Sequence, residues 1–321
     1  MLEAAVARAL LMNDRHIAIT GASGWMGRAT IDLLARVFGE SFEDRVSCYG
    51  SGYRDIDLGD GRRVTQQPLT ELSKLRARQI WVLHFAFKTK EHAGTMDEGA
   101  YRRANVEISD TVLDAFRHID VEAVFLASSG AATKAQDLTA SPAMRLYGAM
   151  KRNDEALFAS WAIEHGRRAV IGRIFNITGP YINKHEAYAI ASFIRDALAA
   201  RPIHVHASRE VIRAYVAIRE LMSLVFALLG DPRDGVVRFE SGGEPLELGS
   251  VAQIVARTLG GGIVDRAMIT DPIPDRYVGN AAAYSELLER HSIHSVPLNV
   301  QVCETAPFTR IPERQLSSPE R

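Results

Sequence analysis

The segment His16-Ile-Ala-Ile-Thr-Gly-Ala-Ser-Gly-Trp-Met-Gly27 decides the fold of this chain. It opens with a short apolar run, Ile17 to Ile19, which predicts a buried strand. Three glycines follow at a spacing of three, and an apolar pattern at helical spacing then runs from Arg28 to Phe38. A strand, a glycine-rich turn and a helix in this order are the context in which proteins bind a dinucleotide. The sequence therefore predicts a dinucleotide-binding turn near the amino terminus.

Each glycine of this turn has its own physical role. Gly21 permits the tight turn, Gly24 lets a pyrophosphate approach the backbone, and Gly27 lets the helix pack close to the strand. The N-terminus of the helix offers free N–H groups and the positive end of its dipole to the phosphates. We expect the cofactor to contact six residues of the turn, namely Gly21, Ser23, Gly24, Trp25, Met26 and Gly27.

Length and composition limit the possible classes of protein. The chain has 321 residues, of which 47% are hydrophobic and 24% charged, which suits one large α/β unit or two closely packed lobes. A formal net charge of −1 leaves no broad basic field for nucleic acid or an anionic membrane. The two cysteines, Cys48 and Cys303, are far apart, so no disulfide framework is expected. We expect a cytoplasmic protein without a metal site, a membrane span or a nucleic-acid partner, and a short amphipathic helix over residues 1–13.

Three further motifs follow the glycine turn in order. They are Phe125-Leu-Ala-Ser-Ser129, Tyr147-Gly-Ala-Met-Lys151 and Arg173-Ile-Phe-Asn-Ile-Thr-Gly-Pro180. Together with the Gly-x-x-Gly-x-x-Gly spacing, they resemble the extended short-chain dehydrogenase/reductases, the NAD-dependent epimerase/dehydratase family. That branch includes nucleotide-sugar epimerases, dehydratases and ketoreductases, and the resemblance runs from about His16 to about Arg290.

The resemblance implies an α/β fold, with a Rossmann-type doubly wound parallel sheet and a smaller C-terminal substrate-binding lobe. We expect the Rossmann domain over residues 14–176 and the substrate-binding lobe over residues 177–306, with a possible return of the chain to the Rossmann sheet. Residues 307–321 are polar and rich in proline, and we expect a flexible tail there.

Ser129, Tyr147 and Lys151 are the expected catalytic residues. Tyr147 and Lys151 are four residues apart in a predicted helix, so both face one side of it. An ammonium at Lys151 would lower the pKa of Tyr147 and bond the ribose hydroxyls of the cofactor. Tyr147 would then exchange a proton with the substrate oxygen while Ser129 polarises it. In 4,6-dehydratases Asp and Glu follow the serine, whereas Gly130 and Ala131 stand here, which argues against dehydration.

The end of the second predicted strand, at Tyr49, bears on the choice of cofactor. Ser51 and Arg54 follow it, where relatives often carry an acidic residue. An acid accepts a hydrogen bond from the ribose 2′-hydroxyl and repels a 2′-phosphate, whereas a hydroxyl and an arginine do the reverse. We therefore expect NAD(P), with NADP(H) favoured over NAD(H). The alternative is that Asp55 or Asp57 contacts the ribose while Arg54 is solvated.

Two further segments resemble cofactor-contacting parts of the family. The continuous apolar run Ile80–His84 predicts a strand covered on both faces, and Ala86 and Phe87 after it would lie near the nicotinamide ribose. Asn105, inside a predicted helix over Met96–Phe116, resembles the family asparagine whose amide supports the backbone on the cofactor side.

The substrate-binding residues follow from the resemblance as well. Arg213-Ala-Tyr-Val-Ala-Ile-Arg-Glu-Leu221 is similar to a family segment whose arginine binds the substrate pyrophosphate, a task that suits a planar bidentate donor. Asn176 matches an asparagine that contacts the diphosphate or the sugar, and Arg276 is a second candidate for the diphosphate. With Ser129, these residues form the expected substrate site.

The function that the sequence favours is NAD(P)-dependent hydride transfer on a nucleotide-diphosphate sugar, by an epimerase or a 4-ketoreductase. One alternative is an NADPH-dependent reductase of a non-sugar carbonyl. The other is an NAD(P)-sensing protein without catalysis. The resemblance also implies a homodimer that pairs through the two long helices holding Asn105 and Tyr147.

Overall fold

The computed structural model describes residues 1–186, 188–232 and 235–309 of the chain. Within these residues the strands are β1 (His16–Thr20), β2 (Val46–Gly50), β3 (Arg54–Asp57), β4 (Arg63–Pro68), β5 (Ile80–His84), β6 (Val121–Ser129), β7 (Arg168–Ile174), β8 (Asn176–Thr178), β9 (Ile203–Val205), β10 (Arg209–Arg213), β11 (Tyr215–Ala217), β12 (Gly235–Glu240), β13 (Leu246–Glu247), β14 (Val264–Arg266) and β15 (Asp271–Tyr277). The helices are α1 (Ala4–Leu11), α2 (Trp25–Phe38), α3 (Phe42–Arg45), α4 (Lys90–Thr95), α5 (Glu98–Ala115), α6 (Pro142–Glu164), α7 (Ala189–Leu198), α8 (Ile218–Leu229), α9 (Leu248–Thr258), α10 (Ala281–Arg290) and α11 (Leu298–Thr305).

Eight strands form one central sheet in the order β12-β7-β6-β5-β1-β2-β4-β3. Every neighbouring pair in it is parallel except β3 with β4. The strand order reverses between β1 and β5, which is the switch point of a doubly wound sheet. The predicted Rossmann-type fold is therefore confirmed.

Helices cover both faces of this sheet. Side chains of β1 on one face pack with α1, α2 and α8, and side chains on the other face pack with α5 and α6. This two-sided burial explains the unbroken apolar sequence of β5, since each of its residues meets a packed layer. Val6 and Leu10 of α1 are buried in the first layer together with Leu2, which precedes the helix, and this confirms the predicted amphipathic helix at the amino terminus.

The long helix predicted over Met96–Phe116 is confirmed as α5, and the short helix α4 before it was not predicted. The chain forms α4 first, leaves the helix at Met96, and begins α5 at Glu98. The cause is Asp97, whose Oδ1 accepts a hydrogen bond from the Ala100 N–H at 2.9 Å and so caps α5. The predicted start of α6 is confirmed, because the Ser141 hydroxyl caps it at the Met144 N–H and Pro142 occupies the first turn.

The remaining strands form a smaller lobe beside the carboxyl ends of the central strands. It contains the sheets β13-β10-β15, β11-β8 and β14-β9, and its core lies between α7, α9 and α11. Between β11 and β13 the chain returns to the central sheet, where α8 packs on it and β12 pairs with β7. Residues 306–308 form a 3₁₀ turn, and residues 310–321 of the predicted tail lie outside the described residues.

Candidate active site

A cleft of about 1730 Å³ lies where the carboxyl ends of β1, β5 and β6 face the smaller lobe. Open parallel sheets bind their ligands at this edge. The cleft is lined by fifteen of the seventeen predicted site residues, namely Gly21, Ser23, Gly24, Trp25, Met26, Gly27, Ser51, Ala86, Phe87, Ser129, Tyr147, Lys151, Asn176, Arg213 and Arg276. Arg54 and Asn105 do not line it.

The glycine turn has the geometry that its spacing predicts. Gly21 adopts a φ of +72°, and a Cβ there would lie 2.6 Å from the Ala86 nitrogen. A Cβ at Gly27 would lie 2.4 Å from the Gly21 carbonyl oxygen, so only glycine lets α2 approach the turn. Gly24 precedes α2, and no side chain caps its first N–H groups. These free donors at a helix N-terminus fit the pyrophosphate of a dinucleotide.

Gln66 is a part of this turn that the sequence analysis missed. Its side chain is fully buried, its Oε1 accepts a hydrogen bond from the Ser23 N–H at 3.1 Å, and its Nε2 donates to the Gly52 carbonyl at 2.9 Å. A Cβ at Gly50 would lie 2.4 Å from the Gln66 amide. Gln66 therefore ties the glycine turn to the loop after β2, and the glycine at position 50 makes room for it.

Arg54 does not line the cleft. Residue 54 begins β3, which turns back antiparallel to β4 at the outer edge of the sheet, and the side chain is exposed. Arg54 therefore lies on the edge strand and pairs with Gln66, and its contact with a 2′-phosphate stays a prediction. Asp55 and Asp57 lie on the same strand, and neither lines the cleft. Ser51 alone of these residues does so.

The loop after β5 is held by two side chains of α5. The Lys88 N–H donates to Asn105 Oδ1 at 2.8 Å, and the Tyr101 hydroxyl donates to the Lys88 carbonyl at 2.7 Å. Asn105 is fully buried, so it supports the cofactor-side backbone, as the resemblance implies, without reaching the cleft itself. The loop places the Phe87 ring 3.7 Å from Lys151 Nζ and edge-on to the Tyr147 ring.

Trp25 links the glycine turn to the substrate side. Its indole Nε1–H donates to the Pro180 carbonyl at 2.9 Å, and its ring meets Tyr188 edge-on at 5.4 Å. Pro180 ends the predicted Asn-x-x-Gly-Pro segment, so two of the motifs that carry the family resemblance touch directly.

The three predicted catalytic side chains lie together. Ser129 ends β6, and Tyr147 and Lys151 project from α6. Burial raises the pKa of Tyr147, and a hydrogen bond with Ser129 opposes that rise. The expectation that Lys151 lowers the pKa of Tyr147 is not met. Lys151 Nζ instead donates to the Ala127 carbonyl at 2.8 Å, and burial lowers the pKa of Lys151 to about 8.

The substrate side of the cleft contains a residue that the sequence analysis did not assign. Tyr277 ends β15, and its hydroxyl lies 3.4 Å from Ser129 Oγ. Asn176 Nδ2 donates to the carbonyls of Tyr277 and Ala214 at 3.3 and 3.2 Å. Asn176 therefore fixes the end of β15 beside Ser129. The contact joins residues that are 148 apart in the chain, so no local pattern predicts it.

The two predicted diphosphate-binding arginines differ in their surroundings. Arg213 Nη2 lies 2.8 Å from Asp275 Oδ2, and its Nη1 donates to the carbonyls of Ile212 and Asp275. Arg276 lines the cleft, is exposed, and has no hydrogen bond or ion pair within the described part of the chain. In this structure Arg276 is the freer of the two to receive an anion.

The sequence of this chain also matches the model of a known protein family. The model of the NAD dependent epimerase/dehydratase family matches residues 17–241, which contain the glycine turn, the Ser129 strand and the Tyr147/Lys151 pair. The chain belongs to this family. Its members are NAD-dependent enzymes of the nucleotide-sugar epimerase and dehydratase type.

Individual relatives are distant. A dTDP-glucose 4,6-dehydratase from Mycolicibacterium smegmatis is 24% identical over 231 residues, which cover 67% of this chain and 69% of that protein. A UDP-N-acetylglucosamine 4-epimerase from Methanobrevibacter ruminantium, solved with UDP-N-acetylmuramic acid, has a TM-score of 0.68 at 18% identity, over 92% of this chain and 98% of that one. A UDP-glucose 4-epimerase from Thermus thermophilus, solved with NAD, has a TM-score of 0.64 at 21% identity, over 92% and 98%. At these identities the two structures support the fold alone.

None of the helices within residues 1–186, 188–232 and 235–309 is long and apolar enough to cross a membrane.

Proposed function

We propose that this protein catalyses NAD(P)-dependent hydride transfer on a nucleotide-diphosphate sugar, as an epimerase or a 4-ketoreductase. The observation that carries the proposal is that Ser129, Tyr147 and Lys151 lie in one cleft with the glycine turn. When bound, the nicotinamide cofactor would supply or accept the hydride. The glycine turn would bind the pyrophosphate of the cofactor, and Lys151 would bond its ribose hydroxyls.

Tyr147 would move the proton. Because burial raises its pKa, the phenol is protonated at neutral pH and can donate to a carbonyl oxygen of the substrate. Ser129 would hold the same oxygen by a hydrogen bond. The Tyr277 hydroxyl, 3.4 Å from Ser129 Oγ, supports this arrangement because it fixes the serine from the side of the smaller lobe.

The chain after Ser129 argues against a dehydratase, although the curated relatives are dehydratases. A Cβ at Gly130 would lie 2.4 Å from the Phe175 ring, and Ala131 is fully buried. Neither position has room for the acidic side chain that would move protons in an elimination. This packing favours an epimerase or a reductase.

The substrate diphosphate would meet Arg276 and Arg213. The Arg276 side chain has no partner among the described residues, whereas Arg213 must share its guanidinium with Asp275 or exchange Asp275 for the ligand. The same ion pair favours the second candidate function, a reductase of a non-sugar carbonyl, because a paired arginine leaves less charge for a diphosphate.

The proposal includes a cofactor preference, an oligomeric state and a cellular location. NADP(H) over NAD(H) is supported by Ser51 on the cleft and by the absence of an acidic residue from positions 50–53. A homodimer that pairs through α5 and α6 is proposed from the family resemblance, and a cytoplasmic location is proposed from the two distant cysteines.

One experiment distinguishes an epimerase from a reductase by whether the protein retains its nicotinamide cofactor. The purified protein is denatured and the released nicotinamide is measured by absorbance, in parallel with NADH and NADPH binding to the untreated protein. Retained NAD(H) supports an epimerase, and an empty protein that accepts NADPH supports a reductase. A protein that neither retains nor binds a nicotinamide cofactor would refute the proposal.

A further inference from the structure

A buried carboxylate lies one helical turn beyond Lys151. Asp154 follows it by three residues on α6, so the two side chains share a face of the helix. Asp154 is 1% exposed and Lys151 is 5% exposed. Asp154 Oδ1 accepts a hydrogen bond from the Ser109 hydroxyl of α5 at 2.8 Å. Its Oδ2 is buried without a hydrogen-bond partner among the described residues.

An ionised carboxylate in such a place is costly unless another charge compensates it. No ion pair within 4.0 Å involves Asp154 among the described residues, so Lys151, one turn away, is the cation that remains to do so. Burial raises the pKa of Asp154, and Lys151 is the first group that opposes this rise.

The other groups around Lys151 are already engaged or uncharged. Glu155 is paired with Arg173 through two hydrogen bonds of 2.9 and 2.8 Å and also accepts one from Ser128. On β5, burial and the charge of Lys151 lower the pKa of His84 to about 3, so this ring is neutral. Lys151 Nζ itself contacts the Ala127 carbonyl and the Phe87 ring, neither of which carries a formal charge.

The tyrosines beside this pair are neutral as well. Burial raises the pKa of Tyr101 on α5, which faces Asp154, and of Tyr147 on α6. Asp154 is therefore the buried carboxyl group beside Lys151 that forms no ion pair within 4.0 Å among the described residues.

We propose that Asp154, held by Ser109, is a positioning residue that keeps the buried Lys151 in its ammonium form. The inference rests on the proposed function only in assigning Lys151 to the cofactor, and it does not depend on the identity of the sugar. It agrees with the order of effects on Lys151, whose pKa is lowered by burial and raised first by Asp154 and then by Glu155.

The direct test measures the pKa of Lys151 without substrate or cofactor. The protein is labelled with an amine-reactive reagent across a pH series, and the Lys151 peptide is quantified by mass spectrometry. Asp154→Asn should lower the proton affinity of Lys151 about tenfold, the scale of one nearby opposite charge. Asp154→Glu should restore it in part, and Glu164→Gln, which removes an exposed carboxylate from the same helix, should leave it unchanged. A wild-type titration of Lys151 in Asp154→Asn would overturn the proposal.

A second measurement follows NADH affinity against pH. The pH at which affinity declines should move downward in Asp154→Asn, because the ammonium is lost at lower pH. Ser109→Ala, a milder change that leaves the carboxylate but removes its hydrogen bond, should move it the same way by a smaller amount. If Asp154→Asn does not fold, Ser109→Ala decides alone, and an unmoved Lys151 titration in it would overturn the proposal. If the variants shift the Lys151 titration and the pH dependence of NADH affinity but the protein binds no nucleotide sugar, the proposed substrate is wrong. The inference about Asp154 would still be supported.

Discussion

Substitution of either member of the Arg213–Asp275 ion pair should change nucleoside diphosphate binding, and the two substitutions should act in opposite directions. If Arg213 binds the diphosphate of the substrate, Arg213→Ala should weaken the binding of a nucleoside diphosphate. Asp275→Asn should strengthen it, because Asp275 Oδ2 lies 2.8 Å from Arg213 Nη2 and competes with the ligand for the guanidinium. A purely structural ion pair would instead lose function when either member is changed.

The two effects differ in size. A hydrogen bond to a charged group is worth about 1.5–3 kcal/mol, so Arg213→Ala should raise the Kd roughly 10- to 150-fold. The Arg213–Asp275 pair is partly solvated, with side-chain exposures of 20% and 47%, and such pairs are worth about 0.2–1 kcal/mol. Asp275→Asn, which releases Arg213 from this pair, should therefore lower the Kd of the nucleoside diphosphate by no more than about fivefold.

Calorimetry with UDP, GDP, CDP and dTDP measures both effects. Asp196→Asn is the matched control, because Asp196 pairs with Arg201 at 2.7 Å in the same lobe and neither residue lines the cleft. Weaker binding in Asp275→Asn would refute the competition, and unchanged binding in Arg213→Ala would refute the role of Arg213. No binding of any of the four to the wild type would favour the non-sugar carbonyl reductase.

Four further outcomes are expected. Tyr147→Phe should lower turnover on the order of 100-fold or more with cofactor affinity nearly unchanged, and near wild-type turnover would exclude Tyr147 as the proton donor. Cofactor affinity, titrated by fluorescence, should fall as the pH rises through about 8, because Lys151 then loses its ammonium; a flat profile up to pH 10 would contradict its role. Arg54→Ala should change NADP(H) affinity less than about twofold, since Arg54 does not line the cleft. A loss of affinity for NADP(H) but not for NAD(H) would instead show that Arg54 contributes to cofactor binding. Sedimentation at micromolar concentration should show a dimer, and a monomer alone would argue against pairing through α5 and α6.

Local sequence signals predicted most of the central sheet. The apolar runs of β1 and β5 and the serine–proline start of α6 each arise from neighbours in the chain, so pattern and capping rules find them. The helix α5 was predicted to within two residues at its start, where Asp97 caps it, whereas the short helix α4 before it was not predicted. The strands β10 and β15 were missed for a different reason. They pair with each other across about 60 residues, and their alternation is weak on an exposed lobe.

Site residues could be predicted where a sequence motif determines both the residue type and the local backbone conformation. The glycine turn and the cleft position of Ser129, Tyr147 and Lys151 belong to this class. The charge partner of Arg213 was not predictable, because Asp275 reaches it through the pairing of β10 with β15. The sequence did not predict that burial raises the pKa of Tyr147 by more than the hydrogen bond with Ser129 lowers it.

Hydride transfer itself can be observed by rapid mixing. The protein is mixed with NAD⁺ and a set of nucleotide-diphosphate hexoses, and separately with NADPH and 4-keto sugar nucleotides, while the fluorescence of reduced nicotinamide is followed. We predict that at least one sugar nucleotide changes this signal in the wild type and that Tyr147→Phe abolishes the change. No signal with any sugar nucleotide in either direction, from a protein shown to bind the cofactor, would contradict the assignment of this cleft to nucleotide-sugar redox chemistry.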